Sequence, residues 1–357
     1  MTLYRNYLLT KDHSYYDDSS VVLVQTVPND PPNNPTYYYN CKILLHSLSG
    51  EKCENVVQLD WPKPFQEDDP HPPPFEDYAS SSEEEDDVVH AFFGVLSSVS
   101  INGTLCVKRV CWGETQLLLW NPTTKEFKFI PSSPIESKPY WRVSPDDGHV
   151  PVGYDRVTHE YKVIRFITCI PSRDLPSVSF LEMYIPNSNT WRIIDVDMLR
   201  SYDNVDVYMD GVCHWWAEKE AQTYLVSFDF SKESSITTLI PSQVDRFNLA
   251  WRYLVLLNGS IAFISAETSI LHILMLGELG IKESWTKLFI VEFLPCLADP
   301  IGAGKKGRIL FRKKDGELAW FDLSNKMIEE IGITTKPIFY KTIFHKENIL
   351  PIGGINS

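Results

Sequence analysis

Short apolar runs, each stopped by polar or glycine-bearing residues, recur along the chain from Val21 to its end. One succession shows the pattern fully: FFGVLSSVSI, a turn at Asn102-Gly103, GTLCVKRVCW, TQLLLWNP, a turn at Thr123–Lys125, and EFKFIP. Runs of this length bounded by turn residues predict strands joined by hairpins, and Asn-Gly between two of them predicts a tight two-residue turn. The same order returns in PVGYDRVTHEYKVIRF with FLEMYIPNSNTWRIIDV, in VDVYMDGVCHWWA with YLVSFDFSKESSITTLIP, and in YLVLLNGSIAFIS with ILHILMLGELGIKESWTKLFI. A last unit reads GRILFRKKDGELAWFDLSNKMIEEI. Gly103, Gly211, Gly259 and Gly307 are spaced by 108, 48 and 48 residues, about one unit per 50 if the first interval spans two.

A four-stranded unit at that period predicts an all-β chain folded as a kelch-like β-propeller, because one small sheet cannot cover both its faces and stacks on its neighbours around an axis. The count gives about six blades, or seven if Arg142–Met198 holds two units. The first unit offers only three strands (VVLVQTV, YYYNCKILLHSL, ENVVQLDW), and FYKTIFHKENILPI at the end has no partner of its own. The last strand is therefore expected to complete the first blade and close the ring, removing the edges an open sheet would expose.

Composition adds little to this picture, except in one place. Aromatic residues make up 13% of the chain, and Val, Ile and Thr dominate the apolar runs with them, which favours strands over helices. No run of 18 apolar residues and no secretory leader pattern appears, so no membrane association is expected and the location is expected to be cytoplasmic or nuclear. Seven cysteines without pairing rhythm and without CxxC predict reduced thiols. The net charge is −14, yet Glu67–Asp87 alone carries ten acidic residues and no basic one, leaving −4 for the rest. This Pro-rich, acid-rich stretch, bounded at 66–88, is expected to be a disordered insert. With no basic stripe elsewhere, no nucleic-acid partner is expected.

Candidate chemistry is sparse. Cys213-His214 would sit on opposite faces of one strand, so core packing explains them better than a thiol-imidazole pair. Ser144-Pro-Asp146-Asp-Gly148 begins like an Asp box but is not repeated, and a polar turn is the plainer reading. Gly302–Gly307 is glycine-rich and basic without the Lys-Ser/Thr ending of a phosphate loop, and is expected to join two blades. His46, His159, His272 and His345 lack metal-ligand spacing, so no metal, cofactor or catalytic residue is expected. Ser80, Ser81 and Ser82 each have an acid three residues downstream, a spacing that suits an acidophilic kinase.

The C-terminal third carries a resemblance. GELGIKESWTKLF (Gly277–Phe289) is followed by IGAGKKGRILFRKKDGELAWFDLSNKMIEEIGI (Ile301–Ile333), and ahead of them stand LLLWNPTTKEFKFIPSSP, GYDRVTHEYKVIRF, YIPNSNTWR and DGVCHWWA. In this order they resemble the F-box associated interaction domain (type 1) in the branch typified by plant S-locus F-box proteins. The resemblance implies a protein-recognition propeller over 21–354 that serves as substrate receptor of an SCF-type E3 ubiquitin ligase. Such a domain holds a target protein for ubiquitin-dependent degradation and is not an enzyme. Residues 1–20 are similar to the linker that follows an F-box and contain no F-box, so a Skp-type adaptor and cullin are expected as partners only if one is supplied. A stand-alone decoy or scaffold is the alternative. A propeller hydrolase would need acids and bases converging on the axis, a set the sequence does not offer. The contact surface is expected in the loops Pro28–Pro35, Ser132–His149, Pro171–Pro176 and Leu294–Lys306, with Tyr140, Trp141, Arg142 and Arg173 as anchors, since aromatic and Arg residues dominate binding hot spots.

Overall fold

The computed structural model describes residues 19–28, 41–50, 53–62, 92–96, 100–111, 114–135, 142–145, 150–170, 178–199, 206–220, 222–241, 252–267, 270–292, 296–303, 307–334 and 339–353. Six antiparallel sheets form a six-bladed propeller. Blade 1 is built from Phe339–Lys346 (β25), Ser19–Pro28 (β1), Cys41–Ser49 (β2) and Asn55–Leu59 (β3), in that order. Blade 2 comprises Phe92–Val95 (β4), Leu105–Cys111 (β5), Glu114–Asn121 (β6) and Glu126–Ile130 (β7). Blade 3 has Arg142–Pro145 (β8), Val152–Asp155 (β9), Glu160–Ile170 (β10), Val178–Ile185 (β11) and Thr190–Ile194 (β12). Blade 4 is Asp206–Met209 (β13), Val212–Lys219 (β14), Gln222–Asp229 (β15) and Ser234–Leu239 (β16). Blade 5 is Arg252–Leu257 (β17), Ser260–Glu267 (β18), Ile270–Met275 (β19) and Thr286–Glu292 (β20). Blade 6 is Leu297–Ala303 (β21), Arg308–Lys313 (β22), Glu317–Asp322 (β23) and Ile328–Thr334 (β24). A single 3-10 turn, Lys282–Ser284, is the only helical piece among these elements.

The first strand of each blade lies innermost: β13 neighbours β17, β17 neighbours β21, and β21 neighbours β25. Ring closure is as the sequence implies. β25 pairs with β1 from Ser19↔Lys346 to Thr26↔Phe339 and becomes the inner strand of blade 1.

Middle strands bury both faces, which is why they read as unbroken apolar runs. In β1, Val21 and Leu23 pack with Leu310, Leu318 and Trp320 of blade 6. Val22 and Val24 point the other way, onto Leu105, Val107, Leu118 and Trp120 of blade 2. The same division continues round the ring. Phe263 and Leu274 meet Trp216 and Leu225 between blades 4 and 5, and Ile264 and Ile273 meet Ile309 and Phe311 between blades 5 and 6. Blades 2, 3 and 4 share one cluster that includes Leu119, Tyr161, Met183, Trp215 and Phe228. Outermost strands alternate because only one side of each is covered, as in β7 and β12.

Three expectations change. The length of Arg142–Met198 comes from a divided inner strand and not from an extra blade. On β10 the partners run from Val163↔Val152 to Ile167↔Pro145, so β10 advances by 4 residues (163 to 167) while the inner strand advances by 7 (145 to 152), leaving 3 extra. Pro145 and Pro151 have no N–H to offer a ladder, which suits a break there. Consequently Ser132–His149 is not one loop: Arg142, Ser144 and Pro145 belong to β8. Likewise Leu294–Lys306 contains β21, and Gly302–Gly307 connects the first two strands within blade 6 instead of joining blades. Pro300 and Gly302 disguise β21 as a loop, and its register with β22 shifts between them and again between Leu297 and Asp299. The acidic insert 66–88, with Ser80, Ser81 and Ser82, and the segment 1–18 lie outside the described residues.

Candidate protein-interaction faces

Apart from the break inside the inner strand of blade 3, antiparallel order sorts each connection onto one of two faces. First-to-second and third-to-fourth strand connections share the turn face; second-to-third connections and the links between blades share the loop face.

The turn face is built from repeated tight turns. Asn102-Gly103, Asp210-Gly211 and Asn258-Gly259 each hold two successive positive-φ residues, the geometry of a type I′ hairpin. Four other turns share an Asx cap. The side-chain oxygen of Asn121, Asp155, Asp229 or Asp322 accepts from the backbone N–H two residues on, and from the next one as well. The residue four after each cap (Lys125, His159, Glu233, Lys326) then takes positive φ.

One of these caps anchors an ion network between blades 3 and 4. Lys162 Nζ donates to Asp155 Oδ2 at 2.7 Å, to Phe230 O at 3.0 Å and to Glu233 Oε1 at 2.8 Å, and Arg192 pairs with the same Glu233. Burial alone would raise the Asp155 carboxyl, but bonds from Lys162, Ser231 and the Val157 and Thr158 amides override it and hold it well below the carboxylate range. Burial likewise opposes charge on Lys162, and Asp155 and Glu233 together raise its amine above the ordinary value. Further out, Arg165 meets Glu182 at 2.5 Å and lies over the Trp191 ring at 4.4 Å.

Near the axis stand an acid, an amine and two thiols. Lys341 on β25 donates to Leu96 O at 2.7 Å; burial draws its amine down to about 8, opposed by Asp206 and Cys106. Cys213 donates to Asp206 Oδ2 at 3.7 Å, and burial raises its thiol well above the ordinary value. The Cys106 thiol is pushed up to about 12, chiefly by burial. Both sulfurs stay protonated at neutral pH, which suits packing and not nucleophilic work. Among the described residues no group of three or more His, Cys, Asp or Glu is placed to hold a metal ion.

The five longest connections between strands, 29–40, 60–91, 131–141, 195–205 and 240–251, all fall on the loop face. Of the loops read from sequence, 29–35 and 171–176 belong there too, as does the first part of 132–149. Tyr140, Trp141 and Arg173 lie outside the described residues, and Arg142 opens β8 with its side chain undescribed. The rim carries one feature the sequence reading missed. Phe127 and Phe129 on β7 project to the same side, in edge contact at 5.9 Å, and are 36% and 43% exposed. The alternation in EFKFIP carried that signal, since an outermost strand leaves one face open. Chain direction adds a further fact. β1 starts beside Lys346 and the 50–54 turn, so the segment preceding Ser19 joins at the turn face.

The model of the F-box associated beta propeller domain matches residues 91–345, well over half of the chain. The chain belongs to that family. Similar Arabidopsis thaliana proteins include F-box protein CPR1, 25% identical over 63% of this chain and 61% of that protein, and F-box protein At4g22390, 20% identical over 87% and 78%. The chain spans 61%, 38% and 51% of three such F-box proteins. Among solved structures, TolB from Acinetobacter baumannii is similar at 7% identity with a TM-score of 0.47, covering 92% of this chain and 66% of that one. No helix of the described residues is long and apolar enough to cross a membrane.

Proposed function

We propose that this F-box associated propeller is the target-binding domain of an SCF-type E3 ubiquitin ligase receptor, holding a protein for ubiquitin-dependent degradation through its loop face. What supports this reading is the division of the ring into two faces. A module joined ahead of Ser19 is tethered at the turn face, and the longest connections leave from the other side. A rigid ring with variable loops on one face suits recognition of a partner, and an adaptor tethered opposite leaves that face open. A Skp-type adaptor and cullin are reached only through an F-box, and the domain itself acts as a binding module and not as an enzyme.

The test begins with calorimetric titration of a Skp-type adaptor. The chain alone shows no association, and the same chain fused behind an F-box binds the adaptor. Replacing 29–40 by a short Gly-Ser link in that fusion abolishes ubiquitylation of a captured target while adaptor binding persists. Tight adaptor binding without an F-box, or target turnover indifferent to loop-face changes and sensitive to turn-face ones, overturns the reading.

A further inference from the structure

Beyond β25 the chain does not simply end. Residues 347–353 run across the turn face of blade 2, bending where Leu350 N–H donates to Asn348 Oδ1 at 2.9 Å and turning again at 352–353, held by main-chain contacts and by the side chains of Leu350 and Ile352. Lys346 N–H donates to Ser100 Oγ at 3.1 Å, Asn121 Nδ2 donates to Asn348 O at 2.8 Å, and Ile352 N–H donates to Glu126 Oε2 at 3.2 Å. Ile352 is fully buried in the cluster shared by blades 2, 3 and 4, with Leu350 packed against it. A Cβ on Gly103 would lie 2.9 Å from Asn348 N, so glycine there admits the passing backbone. Between these anchors the segment is open to solvent, and Ile349 is 79% exposed.

The cap residue of blade 2 is what sets this groove apart. At three of the four Asx-capped turns the cap is Asp; at Asn121 alone it is an amide, fully buried. Its Oδ1 closes the turn as an Asp oxygen would, while its Nδ2 supplies a donor that a carboxylate lacks and spends it on the tail carbonyl. The tail's main-chain groups are met by side chains of blade 2 and one aliphatic side chain is enclosed, so affinity comes from the main chain and selectivity from a pocket, the division of labour that peptide recognition uses elsewhere.

We infer that the turn face of blade 2 is an exchangeable peptide-binding groove for a short, bent segment with a branched aliphatic anchor, and that residues 347–353 are its resident ligand. The tail is tethered at Lys346, so its high effective concentration keeps the groove filled in the intact chain. A competing segment needs the same chemistry: a carbonyl placed for Asn121, and Ile or a similar side chain four residues later.

The experiment uses the full chain and a fluorescent peptide with the sequence of Lys346–Gly353. Ile352→Ala weakens the resident tail, so the peptide binds this variant at least ten-fold more tightly than the unaltered chain. Adding Asn121→Asp keeps the turn capped, as at the three Asp turns, and removes that binding. Hydrogen exchange on the unaltered chain gives an independent reading: the Leu350 and Ile352 amides exchange at least ten-fold faster than that of Ile343 in β25, through local release of the tail. Absence of peptide binding to a folded Ile352→Ala chain, indifference to Asn121→Asp, or protection at Ile352 equal to that at Ile343 overturns the inference. An Ile352→Ala chain that does not fold overturns it as well, because the tail is then an integral part of the core.

Discussion

Two ion pairs a few residues apart show how burial decides what a charge contributes. Arg156 pairs with Asp210 at 3.0 Å with side chains 57% and 71% exposed, whereas Lys162 and Asp155 are almost fully enclosed. An exposed pair is worth ~0–1 kcal/mol, while removing one partner of a buried pair costs ~3–5 kcal/mol because the other charge is stranded. Arg156→Ala should therefore leave the denaturation midpoint nearly unchanged, and Lys162→Met should lower stability by about 3 kcal/mol or more. Equal effects in urea titrations would contradict this assignment. Two histidines make stability depend on pH. Burial lowers His214 from 6.5 to about 3 and His345 from 6.5 to about 4. The unfolded chain takes up protons near 6.5 and the folded chain does not, so the stabilisation is complete above that pH and declines as pH falls towards 4 and 3. The slope is ~1.4 kcal/mol per pH unit for each histidine. Urea midpoints at about pH 7.5 and about pH 5 should differ clearly, and less so in a His214→Gln/His345→Gln variant; coincident midpoints in the unaltered chain would refute the account. Gly153 is legible only in three dimensions. It lies inside β9, where periodicity asks for no glycine, and a Cβ there would sit 2.0 Å from the Phe230 ring.

At the scale of the strand, β25 matters most. It gives β1 a partner from Ser19 to Thr26 and forms the inner wall of blade 1. Its Ile343 joins the cluster between blades 1 and 2. Deleting Phe339–Ser357 strips β1 of this partner and bares an apolar edge, so the shortened chain should aggregate or melt well below the intact one. Melting with unchanged midpoint and cooperativity would sink the closure described above. The strands also mark where sequence was readable. β5, β6, β14, β18 and β23 appear in it as apolar runs because both their faces are buried. β8 and β21 do not, since Pro145 in one and Pro300 and Gly302 in the other carry turn signals inside strands. In both places pairing with an intact neighbour, β10 or β22, overrides local preference.

For the whole molecule, the clusters between blades matter more than any blade alone. Each blade shares its apolar residues with both neighbours, and the ring has no free end at which unfolding could stop short. Unlike an open repeat array, it should unfold as one unit. Phe263→Ala between blades 4 and 5 and Leu310→Ala between blades 6 and 1 should each cost ~3–5 kcal/mol and ~2–5 kcal/mol, in a single calorimetric transition. Two separated transitions in either variant would show that the blades melt independently.

The sequence by itself determined the all-β class and the repeat, because each follows from local periodicity and turn chemistry; the closing strand followed from counting strands in the first unit, and the family from the resemblance of its phrases. Asn102-Gly103 and Asn258-Gly259 needed only their own φ preferences to be read as turns. The tertiary structure decided what depends on residues far apart in the chain. It divided the connections between two faces, enclosed Lys162 among groups up to 71 residues away, and carried Asn348 to Asn121 across 227 positions. Periodicity reports which side of a strand is covered. Which partner covers it, and which buried polar atom finds its match there, is set only when the ring closes.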